Sequence, residues 1–194
     1  ANDESGNGNH GTVNGATLAA DRNGESGKAY NFDGSSSYIK SNVGQNSTVT
    51  LSLWVKNEEQ TQWYPRILKY GKFSEVNSIG MGVAGTFPTS SQTSSTTSLY
   101  FHHDDDVGSR TELEETIKLE EWHHMVGVVG KDSQLCLYLN GKLMGQETLS
   151  TDLIGTSGEL YIGRQTDDYG HPMSTSFFKG LIDDVRIYNR ALSE

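Results

Sequence analysis

The chain has 194 residues, with 15 Lys+Arg against 25 Asp+Glu and a formal net charge of -10 at pH 7. That length suits one domain with one core, and the acid excess disfavours a nucleic-acid backbone as partner. No run of about 18 apolar residues occurs, so the sequence predicts no membrane span. Its first residues carry no basic and apolar leader, so a signal peptide is expected only upstream or already removed.

The strand signals come in chain order. Asp3-Glu4-Ser5-Gly6-Asn7-Gly8 opens the chain as a polar turn. Lys28 to Phe32 and Tyr38 to Ser41 are short strand candidates. Thr48 to Lys56 alternates, with Val49, Leu51, Leu53 and Val55 on one face and Thr50, Ser52, Trp54 and Lys56 on the other. That period of two is a half-buried strand. Arg66 to Tyr70, Ser78 to Val83 and Ser98 to His103 follow, separated by a Ser/Thr/Gly/Pro stretch from Thr86 to Thr97 that reads as a loop. Thr111 to Trp122 has a charge and leucine spacing that fits either a helical turn or two or a Glu-rich loop. His123 to Val129 is another strand. Leu135 to Leu139, Asn140-Gly141 and Lys142 to Gln146 read as a hairpin, because Asn-Gly accepts the two positive φ angles of a type I′ turn. Cys136, the only cysteine, excludes an internal disulfide and reads as a half-buried thiol. Glu159 to Arg164 precedes the closing strand. In that strand Leu181, Asp183, Val185, Ile187 and Asn189 point one way, and Ile182, Asp184, Arg186, Tyr188 and Arg190 the other. With Val185 and Ile187 inward, Asp183 is expected on the core side, with a cation or several donors waiting for it. Many strands joined by polar turns predict an all-β antiparallel sandwich.

The ordered blocks carry a resemblance. They are Ala29-Tyr30-Asn31-Phe32-Asp33-Gly34, Thr50-Leu51-Ser52-Leu53-Trp54-Val55-Lys56, Glu121-Trp122-His123-His124-Met125-Val126-Gly127, Leu137-Tyr138-Leu139-Asn140-Gly141-Lys142, Leu160-Tyr161-Ile162-Gly163-Arg164 and the closing strand to Ser193. Together the chain resembles the laminin-G-like jelly-roll domains of the concanavalin A-like lectin/glucanase superfamily. The resemblance implies a two-sheet jelly roll with a curved face. It also implies that residues 1–194 form one domain cut from a longer parent.

Asp3-x-Ser5-x-Asn7-Gly8 is the opening half of a calcium loop, with hard oxygens at alternate positions. No bidentate Glu stands at the EF-hand distance. Similar domains carry structural calcium near their joined ends, so Asp3, Asn7 and Asp183 are the candidate ligands. An Asx- and Gly-rich turn capped by its own side chains is the alternative. His102 and His103 fall on opposite faces of one strand and do not readily share a metal, so His102 to Asp106 reads as a solvated acidic loop.

Enzyme signatures are thin. Glu112 and Glu114 alternate, but no Glu-x-Asp-x-Glu strand exists; Arg110-Thr111-Glu112-Leu113 resembles one motif of jelly-roll alginate lyases whose other motifs have no match. Glycan recognition needs aromatic platforms and planar hydrogen-bonding groups. Trp63, Tyr64, Arg66, Tyr100, His102, Arg164 and Tyr169 supply both, if their strands neighbour one another on the curved face. The expected function is a non-catalytic carbohydrate-binding or adhesion module of a secreted or cell-surface protein, with glycan and neighbouring domains as partners. The alternatives are an architectural spacer beside a catalytic domain and a polysaccharide lyase or hydrolase.

Overall fold

Alternating apolar residues decide the architecture. The structure is a computed structural model that describes residues 1–60, 65–71, 78–84, 96–104, 110–130, 133–149, 158–165 and 176–193. Its strands are β1 (Thr12–Asn14), β2 (Thr17–Ala19), β3 (Ala29–Asp33), β4 (Tyr38–Asn42), β5 (Val49–Asn57), β6 (Arg66–Tyr70) and β7 (Ser78–Ala84). They continue as β8 (Thr96–Asp104), β9 (Arg110–Lys118), β10 (Trp122–Val129), β11 (Gln134–Leu139), β12 (Lys142–Thr148), β13 (Glu159–Ile162) and β14 (Lys179–Tyr188). The described residues contain no helix.

Two seven-stranded antiparallel sheets stack face to face. The first has the order β1-β4-β13-β6-β7-β8-β9, the second β12-β11-β10-β5-β14-β3-β2. Val49, Leu51, Leu53 and Val55 of β5 are fully buried and meet Leu68, Tyr70, Ile79, Met81 and Phe101 of the opposite sheet in one core. Fully burying each such aliphatic side chain stabilises by about 1.5–3 kcal/mol. The Asn140-Gly141 turn has φ of 51° and 79° and joins β11 to β12, as the hairpin reading expected.

Two sequence expectations change. Of the Thr111 to Trp122 segment, the part to Lys118 is neither helix nor loop but edge strand β9, paired with β8, and a turn at Leu119 and Glu120 leads into β10. A strand forms there because Leu113 and Ile117 reach the core while Glu112, Glu114 and Thr116 face out, a period of two that charge spacing concealed.

The second change concerns Asp183. Ile182 opposes Val55 and Asp183 opposes Trp54, then the register shifts, so that Arg186 opposes Ser52 and Ile187 opposes Leu51. Asp184, at φ 47°, sits in this β-bulge. The extra residue flips the alternation. Before the bulge Ile182 faces the core; after it Ile187 does. Asp183 therefore lies on the outer face of the second sheet, beside Trp54, and not on the core side.

Candidate functional site

The polar, outward face of the first sheet gathers four of the predicted glycan residues. The register places Tyr161, Lys69, Gly80, His102 and Glu112 in one row across five strands. A second row holds Arg66, Gly82, Tyr100 and Glu114. A register shift between Arg66 and Leu68 turns both Ile67 and Leu68 inward and leaves Arg66 and Lys69 outward. His103 opposes Ile79 and points the other way from His102, so the two histidines do lie on opposite faces.

These side chains form cation–aromatic contacts. The Arg66 guanidinium lies 5.2 Å from the Tyr100 ring centroid, and Tyr100 meets His102 edge-on at 5.5 Å. Arg164 follows β13, where Phe177 bridges it to Arg66 through backbone pairing. Its guanidinium sits 4.6 Å from the Tyr38 ring, 5.1 Å from Phe177 and 5.8 Å from Tyr161. Lys69 donates from Nζ to Ser78 Oγ at 2.7 Å.

Strand β7 makes room for this layer by having no side chains there. A Cβ on Gly80 would lie 2.2 Å from His102 Nε2, and one on Gly82 would lie 2.3 Å from Tyr100 Oη. Glycine at both positions lets the two side chains cross the strand. Tyr100, His102 and Lys69 are fully buried and Arg66 and Arg164 nearly so. Arg66, Tyr100, His102 and Arg164, the four described members of the predicted glycan set, thus form a buried polar layer. Trp63, Tyr64 and Tyr169 lie outside the described residues.

A second constellation surrounds Asp183. Arg22 donates from Nη1 to Asp183 Oδ2 at 2.6 Å, and its Nη2 lies 3.0 Å from Asp184 Oδ2. The cation that a buried Asp183 required is therefore a side chain 161 residues away. Arg22 also lies 4.8 Å over the Trp54 ring, which stacks on His124 at 5.0 Å with 22° between planes. His124 Nε2 and Ser52 Oγ share a hydrogen bond of 2.9 Å. Burial pushes the Asp183 carboxyl up, the Asp184 charge adds to this, and Arg22 opposes both. Burial, then the Arg22 and Arg186 cations, push His124 down. Sequence reasoning left this cluster unassigned. Its signal was the shared outward face of Trp54 and His124 in flanking strands.

At the N-terminus the Asp3 carboxylate accepts from Ser5 N and Ser5 Oγ at 2.9 Å each and from Asn9 N at 2.8 Å. The Ser5 hydroxyl, the Ser5 amide and the Asn9 amide hold its carboxyl below the usual range. Asp3, Asn7 and Asp183 all line one open cleft between this segment and β14. Asp183 holds the Arg22 guanidinium, and Asp3 caps its own turn, so an ion there would compete with protein donors. Among the described residues no three His, Cys, Asp or Glu side chains converge as a metal site.

The comparisons place this fold. A laminin-G-type family model of the concanavalin A-like lectin/glucanases superfamily matches residues 33–194. The chain belongs to that superfamily. No curated protein sequence matches it. Among solved structures it is similar to domain 4 of AbnA, a GH43 extracellular arabinanase from Geobacillus stearothermophilus, solved with arabinotriose. Identity is 23%, coverage 94% of this chain and 84% of that one, and the TM-score 0.62. A SAP-like pentraxin from Limulus polyphemus is 16% identical over 93% of this chain and 77% of its own, with a TM-score of 0.60. The botulinum neurotoxin serotype G binding domain is 15% identical over 98% of this chain, with a TM-score of 0.70. This chain spans 45% of that binding domain's length. These likenesses show a lectin-like jelly roll. No helix among the described residues is long and apolar enough to cross a membrane.

Proposed function

We propose that residues 1–194 form a non-catalytic carbohydrate-binding or adhesion module of a longer secreted or cell-surface protein. The observation that carries the reading is the cation–aromatic layer on the outer face of the first sheet, with Arg66 on Tyr100 and Arg164 among Tyr38, Tyr161 and Phe177. Ring faces and guanidinium groups are the chemistry that recognises sugar C–H faces and hydroxyls. The arabinotriose bound to the AbnA domain supports the same class of ligand. Trp63, Tyr64 and Tyr169 complete the proposed set with Arg66, Tyr100, His102 and Arg164.

The test is a glycan array followed by calorimetry on Arg164→Ala and Gly82→Ala. Both replacements should abolish a dissociation constant in the millimolar to micromolar range. Full binding by both would remove this face from the proposal. Burial of Arg66, Tyr100 and His102 favours a second reading, an architectural spacer whose polar layer only braces the sheet. A spacer would give a blank array, and the same variants would change only its melting temperature. Catalysis is tested on uronan and neutral polymers; new unsaturated or reducing ends lost in Glu112→Gln would reverse the non-enzymatic assignment.

A structural calcium held by Asp3, Asn7 and Asp183 also stands as a proposal. The ion would have to displace Arg22 from Asp183. It would stabilise the fold by about 2.7 kcal/mol at a hundredfold excess over its dissociation constant. Identical melting curves in chelator and in calcium would refute it.

A further inference from the structure

The cleft beside β14 has features that the first-sheet face lacks. Its volume is about 1010 Å³, and it opens between the N-terminal segment, the loop around Arg22 and the bulged strand. Ligand pockets commonly enclose roughly 300–1,000 Å³. Buried Ile39 of one sheet and Ile182 of the other are among its lining residues. Tyr30, Tyr188, Asn46 and Asn189 line it as well. Tyr30, Tyr188 and Asn46 are half-buried and Asn189 is exposed.

The bulge is the second observation. Asp184 holds φ 47°, a conformation that non-glycine residues adopt at a cost. The bulge brings two successive carboxylates to one guanidinium, at 2.6 and 3.0 Å. Arg186 lies 3.8 Å from Asp184 and continues the network into solvent. A regular strand would have sent Asp183 and Asp184 to opposite faces. Bulges that re-aim side chains recur beside binding sites.

Charge narrows the ligand. Six carboxylates line the cleft against three side-chain cations, Arg22, Lys28 and Arg186. Uronates and sulfated sugars would be repelled. Paired carboxylate, guanidinium and amide groups instead match hydroxyls, which both donate and accept.

We infer that this cleft is a saccharide-binding site for a neutral, hydroxyl-rich ligand, positioned by the Asp184 bulge and separate from the first-sheet face. It rests on the glycan-binding reading and moves the contact to a different surface. Tyr30, which opposes core-facing Ile182, offers a ring from the inner side of β3, and the Arg22–Asp184–Arg186 network offers hydroxyl partners from the outer side of β14.

The experiment is an amide NMR titration with neutral arabino-, xylo- and cello-oligosaccharides and with an oligogalacturonate. The proteins are wild type, Asp184→Gly, Tyr30→Ala and Glu147→Ala. Glycine adopts the bulge conformation without strain, so Asp184→Gly keeps the fold while removing the carboxylate, which a melting curve checks. A neutral oligosaccharide should shift the amides of Tyr30, Asn46 and Asn189. Asp184→Gly and Tyr30→Ala should weaken it about fivefold to tenfold, with Glu147→Ala, exposed on β12 at the far edge of the second sheet, unchanged. Shifts confined to Tyr100, His102 and Arg164, with Asp184→Gly binding as wild type, would overturn the inference and leave the glycan reading intact. Preference for the oligogalacturonate at the cleft would overturn the ligand class. No shift with any saccharide would remove both readings.

Discussion

Removing Arg22 should expose how much of this fold depends on one buried carboxylate. The Asp183 side chain is 6% exposed and the Arg22 side chain 26%. At an effective dielectric of about 20, unit charges about 4 Å apart attract by about 4 kcal/mol. Breaking a fully buried pair costs about 3–5 kcal/mol, because the surviving charge is stranded. Solvent reaches a quarter of Arg22, so screening reduces the expected cost of Arg22→Ala to about 2 kcal/mol. For a domain of this size that corresponds to a fall of about 4–8 °C in melting temperature. About 0.5–1 kcal/mol of it is the contact over Trp54, which does not depend on Asp183. Asp183→Asn should therefore cancel most, but not all, of the Arg22→Ala cost in a double-mutant cycle, with a coupling near 1–1.5 kcal/mol.

The pH dependence gives an independent check. Burial and Asp184 push the folded-state carboxyl of Asp183 above its unfolded value, and loss of Arg22 pushes it further. An acid raised in the fold costs stability above its folded pKa and nothing below its unfolded pKa. The Arg22→Ala penalty should be full at pH 7 and shrink as the pH falls towards about 4. The assay is circular-dichroism melting of four proteins at pH 4 and pH 7. A coupling below about 0.5 kcal/mol, or a penalty equal at both pH values, would refute the stranded-charge argument.

Deleting 178–194 should abolish cooperative melting, since β14 lies between β5 and β3 and carries buried Phe178 and Ile182 beside it or within it; a truncated chain with an unchanged sharp transition would contradict this. Asp33→Ala should cost about 1–2 kcal/mol by chemical denaturation, because its carboxylate accepts from the Ser35, Ser36 and Ser37 amides and from two serine hydroxyls. Against the effect of burial, the Ser36 and Ser35 amides and the Ser36 hydroxyl hold that carboxyl far below its usual value. Its contribution is present above about pH 4 and fades as the pH falls, so wild type and Asp33→Ala should converge in acid. A constant difference down to pH 2 would count against the loop-capping role.

The sequence by itself determined where the clearly alternating strands lie, because a period of two needs no knowledge of distant residues. Thr48 to Lys56 and the Asn140-Gly141 hairpin carry their own burial pattern and turn chemistry, and the ordered blocks pointed to the superfamily. It also asked for a cation or several donors at Asp183, on the expectation of a desolvated carboxylate. Only the tertiary structure decided which cation and which face. Arg22 is 161 residues away and has no local signal, and a one-residue bulge at Asp184 inverts an alternation that reads as regular. The same holds for the first-sheet layer. Arg66, Tyr100, His102 and Arg164 come together through strand order, and Gly80 and Gly82 make their packing possible. Local periodicity fixes how a strand is buried; pairing between strands far apart in the chain fixes which side chains meet, and that pairing leaves no mark on either strand alone.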